Sequence, residues 1–194
     1  MSGILEWLEG LPLSREAAEA LLSAGDGYEM PLVCRNPVKD PAVEAIRRRS
    51  AEDLFPGAYS PEGALAGLWL YLRHFDACHQ VAQDLPTKEG SYWHGILHRQ
   101  EPDDWNAGYW FRAAGSHPVH AALLDEAREL SQSHAAAGWH PGERWDAEDF
   151  IRFCARARGK PGSDAERLAR AVQMAEWRLL FLWCVRVRGQ SEGL

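Results

Sequence analysis

Apolar residues along this chain recur at steps of three and four, the spacing that gathers side chains on one face of an α-helix. In 61–83, Leu65, Leu68, Trp69, Leu72, Phe75 and His79 share such a stripe, which predicts one long helix. In 164–188, Leu168, Val172, Ala175, Leu179 and Leu182 form one stripe, and Trp177, Phe181 and Cys184 form another. A helix apolar on two faces is expected to be buried nearly all round.

Punctuation supports the same reading. Asp40-Pro41, Ser60-Pro61 and His117-Pro118 each place a capping side chain before a proline at the first helical position. Ser163 with Glu166 has the spacing of a capping box, while Gly115 and Gly159 suit helix C-termini. The helices predicted are 14–24, 41–54, 61–83, 90–100, 104–114, 118–136, 146–158 and 164–188. No segment alternates convincingly as a strand, and 27–38 (GYEMPLVCRNPV) is the one candidate for brief pairing. The expected fold is all-α: a single-domain irregular bundle of about seven to eight helices with a buried C-terminal helix. Residues 1–56 would be an N-terminal helical appendage packed on a 61–188 core, and 194 residues suit one domain.

Composition narrows the class. Apolar residues at 46% and charged residues at 25% exclude wholesale disorder and a fibrous repeat. A formal charge of −7 argues against a general phosphate-backbone binder, which needs a basic face. The charge is uneven, with ten basic and eight acidic residues in 141–194, so the first 140 residues carry −9. A mildly basic C-terminal helix reads as a solvated face. Cys34, Cys78, Cys154 and Cys184 are scattered without a C-x-x-C pair, so neither a disulfide framework nor a cysteine metal site is expected. The opening MSGILEWLEGLP lacks the features of a signal peptide. The most apolar run, Trp177 to Val185, spans nine residues against the roughly 20 a membrane helix needs. A soluble, cytoplasmic protein with no nucleic-acid or membrane partner is expected.

Histidine is where the sequence becomes specific. All eight histidines lie between His74 and His140, and Trp93, Trp105, Trp110, Trp139 and Trp145 fall in or beside the same window. His94 and His98 are four apart on a predicted helix, so their rings project from one face, and Glu101 follows one turn later. Helix 61–83 supplies Asp76 and His79, three apart. Asp76 would ligate directly or orient the His79 ring. Together His79, His94, His98 and Asp76 would suit a divalent transition metal such as zinc, with Glu101 as base for a metal-bound water. The pattern is not H-E-x-x-H, since Gly95 stands where a metalloprotease places its glutamate.

The polar run around 99–112 admits a different chemistry. Arg99 and Arg112 could grip a small anionic ligand in planar, bidentate fashion, with Asn106 beside them and Trp93 and Trp110 as aromatic walls. The structural alternative pairs those arginines with Glu101, Asp103 and Asp104, uses Asp103 or Asp104 as a helix cap, and leaves the aromatics as core. His117 most simply caps the helix begun by Pro118. Cys78 beside His79 points about 100° away on a helix and makes a poor nucleophile–base pair. No G-x-S-x-G elbow, P-loop or G-x-G-x-x-G occurs.

Asp76-Ala77-Cys78-His79-Gln80, the block GSYWHGILHRQEPDDWNAGYWFRAAGSHPV and the later Gln173-Met174-Ala175-Glu176-Trp177 with Leu180-Phe181 resemble a family of uncharacterised soluble all-helical proteins. The likeness covers roughly residues 61–188 and departs at Cys78 and Gly108, where more polar residues would be expected. It implies one continuous helical domain, no reaction, and no functional residue. Three functional expectations follow from the residues: a metal centre, extending to a metal-assisted hydrolase; a metal-free site for a small anionic ligand; or a structural protein whose polar cluster sets helix register.

Overall fold

Helix caps act largely where the sequence places them. In a computed structural model, which describes residues 8, 10–25, 30–34 and 36–189, the Ala42 N–H donates to Asp40 Oδ1 at 2.8 Å. The Glu166 N–H donates to Ser163 Oγ at 3.2 Å, and the Val119 N–H to His117 Nδ1 at 3.3 Å. Ser60 makes no such bond and only precedes the proline. The described residues form ten α-helices and no strand. They are α1 (Arg15–Leu22), α2 (Pro41–Ile46), α3 (Ala51–Leu54), α4 (Pro61–Tyr71), α5 (Phe75–Asp84), α6 (Lys88–Gln100), α7 (Asp104–Ala114), α8 (Val119–Ser133), α9 (Ala147–Arg158) and α10 (Asp164–Val185). The all-α expectation holds. Within 27–38, the described residues lie across the bundle as irregular chain, with the Cys34 N–H donating to the Gln100 carbonyl at 3.1 Å.

Two predicted helices each divide in two. The 41–54 stretch breaks because Ser50 and Asp53 make a reciprocal capping box, at 3.1 and 3.3 Å, that starts a new helix. The 61–83 stretch breaks at Arg73, whose φ of +63° is left-handed and ends the ladder without a glycine or proline to announce it. His74 secures this turn. Arg47 donates to His74 Nδ1 at 2.8 Å, which leaves the ring proton on Nε2, 2.9 Å from the Val38 carbonyl. The break frees α5 from the phase of α4, so Cys78 and Ala82 turn inward while Asp76 and Gln80 face solvent.

α10 is the axis of the core, with Leu168, Val172, Trp177, Leu180 and Phe181 all wholly buried. Trp177 donates from Nε1 to the Gly67 carbonyl at 2.9 Å. Trp93 covers the same glycine so closely that a Cβ at Gly67 would lie 2.7 Å from its ring. Trp93 is therefore interior packing and not the wall of a ligand site, correcting that expectation. Ala20, Leu21, Ile46, Leu54 and Phe55 of the N-terminal third belong to the same hydrophobic cluster.

One buried ion pair joins α6 to α10. Arg99 and Glu176 both have no exposed side chain, and Arg99 Nη2 bonds a Glu176 carboxylate oxygen. Tyr92 donates its hydroxyl to Glu176 Oε1 at 3.2 Å, and Arg99 Nε approaches Gln173 Oε1 at 3.4 Å. The guanidinium also lies over the Phe150 ring at 4.6 Å. Arg99 is thus unavailable to an anionic ligand and does not pair with the carboxylates at 101–104. A wholly buried cation needs a counter-charge in the interior, and Glu176, 77 residues along the chain, supplies it. Glu176→Ala should cost about 3–5 kcal/mol in urea denaturation, because it strands the Arg99 charge. Arg99→Met combined with Glu176→Leu should recover most of that loss.

Candidate metal centre

α6 presents His94 and His98 from one face, their ring planes 3° apart and their centroids 5.2 Å apart. His79 arrives from α5 almost perpendicular to both, at 86° and 89°, with centroid distances of 4.5 and 5.8 Å. One ring nitrogen from each of the three lies within 4.8 Å of the others, close enough to hold a metal ion. The indole of Trp110 on α7 stacks over His94 at 4.0 Å and 7° and backs the group on that side. His94 and His98 are buried, and His79 is half-buried, so the group opens outward along the His79 edge.

Neither nitrogen of His94 has a hydrogen-bond partner among the described residues. Burial, reinforced by His79 and His98, pushes the His94 pKa down to about 4, and burial lowers that of His98 as well. These two rings are therefore neutral near pH 7, the form in which imidazole ligates a metal. Glu101, at the C-terminal end of α6, places Oε2 3.1 Å from His98 Nδ1. The approach lacks hydrogen-bond geometry, since His98 Nδ1 too has no hydrogen-bond partner among the described residues, but it is close enough for the carboxylate to turn toward the ring. Burial pushes the Cys78 thiol up, which removes it as a nucleophile.

The other predicted site residues separate. Asp76 is exposed and stands outside the three-histidine group. Asn106 is engaged locally, donating to Asp103 Oδ2 at 2.6 Å while its backbone N–H is capped by Oδ1 at 3.1 Å. Arg112 is exposed and bonds Glu148 on α9 at 2.6 Å, whereas Asp104 pairs with Arg158. Trp105 and Tyr109, 75% and 50% exposed, stack on the outer surface of α7. Trp139 is core, stacked on Phe153 at 4.7 Å and bonded to Asp149 at 2.8 Å. Gly95 lies against the Phe111 ring, where a Cβ would come within 2.9 Å, so no side chain at that position would reach the histidines.

A second histidine cluster went unread in the sequence. Glu89 accepts from Trp183 Nε1 at 3.0 Å and lies 3.6 Å from His117 Nε2. Burial would raise the Glu89 carboxyl, but His117, its own backbone N–H, Trp183 and Thr87 together hold it down at about 2. His120 stands beside them with its pKa pushed to about 4, by burial first and then by His117 and Lys88.

Comparison of the chain with family models, curated proteins and solved structures finds no match. Among the described residues, no helix is long and apolar enough to cross a membrane.

His120 and His94 bind protons less readily folded than unfolded, where histidine titrates near 6.5. Their contribution to stability is complete above pH 6.5 and is lost as pH falls through about 4. With chelator present throughout, the melting temperature should therefore drop between pH 6.5 and 4, and His120→Asn should make that drop shallower.

Proposed function

We propose that this protein binds a divalent transition metal, zinc foremost, through His79, His94 and His98. The observation that carries the reading is the convergence of three imidazole nitrogens within 4.8 Å, two of the rings buried and His94 without any other polar partner. A polar layer that served only helix register would satisfy those nitrogens internally. Leaving a buried imidazole unpaired costs about 1–3 kcal/mol, which ligation would remove. Zinc suits three neutral nitrogen donors at about 2.0–2.1 Å and accepts tetrahedral geometry without electronic preference.

Three histidines leave one coordination position for water, the arrangement of hydrolytic zinc centres. We assign the protein to metal-assisted hydrolysis on that ground. Glu101 would hold His98 from behind, directing the opposite ring nitrogen toward the metal, in preference to acting as the water's base. Trp110 would exclude solvent from one side.

Protein purified without a histidine tag should carry close to one zinc per chain. A strong chelator should lower its melting temperature by about 5–10 °C, the shift expected when a ligand near a hundredfold above its dissociation constant is removed. His79→Ala should lose the metal yet keep a helical circular dichroism spectrum, since His79 is only half-buried. Substoichiometric metal together with an unchanged melting curve would contradict the proposal.

A further inference from the structure

A cavity of about 480 Å³ opens where the end of α7 meets the start of α9, and it shares no residue with the three-histidine group. Its volume lies within the range of roughly 300–1,000 Å³ typical of small-molecule sites. Tyr92 of α6, Phe111 of α7 and Trp145, just ahead of α9, give it buried aromatic walls.

Its charges are not equally available. Arg112 and Glu148 both line the cavity, but they bond each other at 2.6 Å and largely cancel. Asp146 is committed to capping α9, its Oδ1 accepting from the Asp149 N–H at 3.0 Å. Arg144 is exposed and makes no hydrogen bond or ion pair among the described residues. His120 reaches the cavity from α8. Its Nδ1 accepts from the His117 N–H at 3.4 Å, so the ring proton sits on Nε2 as a neutral donor. The uncommitted groups therefore include the Arg144 guanidinium, the His120 Nε2 donor and the Ser116 hydroxyl, beside three aromatic surfaces of which Trp145 also carries an Nε1–H unpartnered among the described residues.

We infer that this cavity binds a small aromatic carboxylate, its ring against Tyr92, Phe111 and Trp145 and its carboxylate on Arg144. Guanidinium matches a carboxylate in a two-bond fork. The anionic ligand expected from the sequence thus has a place, but not the one predicted there. Arg99 is excluded from it, and Arg144 supplies the cation.

The test is isothermal titration calorimetry of the full chain with benzoate, beside benzyl alcohol and benzylamine, with and without chelator. Saturable 1:1 binding of benzoate is expected, at least about tenfold tighter than either control, as a charge-assisted bond requires. Arg144→Ala, whose exposed site leaves the fold intact, should weaken binding by about tenfold or more, and Arg144→Lys by less. Chelator and His79→Ala should leave benzoate binding unchanged, so failure of the metal reading would not affect this result. Absence of saturable benzoate binding, equal binding by Arg144→Ala, preference for benzylamine or loss of binding with chelator would each overturn the inference.

Discussion

The Arg99–Glu176 pair is the constraint on which the remaining architecture hangs. Arg99 directly follows His98 on α6, and Glu176 directly precedes Trp177 on α10, so one buried bond fixes the histidine helix against the axis of the core. Neither charge can leave the interior without the other. Tyr92, two turns earlier on α6, bonds the same carboxylate. α6 is therefore held in rotation as well as position, and that rotation turns His94 and His98 toward α5. The opposite side of the same helix lends Tyr92 to the aromatic cavity. The three-histidine group and the aromatic cavity, both candidate sites, thus depend on one interior ion pair.

The two sites differ in how they handle charge. In the three-histidine group, burial lowers the proton affinity of His94 and His98 and supplies no carbonyl or carboxylate to His94 in exchange. That combination favours a soft or borderline metal over a hydrogen-bonded network. In the cavity between α7 and α9, the acidic groups are already engaged and a single guanidinium is left over. In both proposals, local hydrogen bonding counts for more than net charge in the choice of ligand. The overall charge of −7 would have pointed the other way for the second of them.

Much of this was legible in the sequence wherever the signal was local. Cap residues and three- and four-residue periodicity located every long helix, and the i, i+4 spacing put His94 and His98 on one face. What escaped was non-local. The break after Tyr71 rests on Arg73 in a left-handed conformation and on His74 held by Val38 and Arg47, none of which periodicity can register. Asp76 and His79 lie three apart on α5, yet only His79 joins the group while Asp76 is exposed. Arg99 and Glu176 lie 77 residues apart, so no window along the chain could join them. Arg144, Trp145 and His120 converge from separate elements for the same reason, whereas the confinement of all eight histidines to 74–140 was a local excess that contains the three converging rings.

The central claim is that three imidazoles from α5 and α6 share one metal ion. Zinc K-edge X-ray absorption of untagged, zinc-loaded protein reads that coordination shell directly. The account predicts three imidazole nitrogens and one oxygen at about 2.0–2.1 Å, and no such shell on His79→Ala, which should retain no zinc. A shell of oxygen or sulfur without imidazole scattering, or one unaltered by His79→Ala, would contradict it.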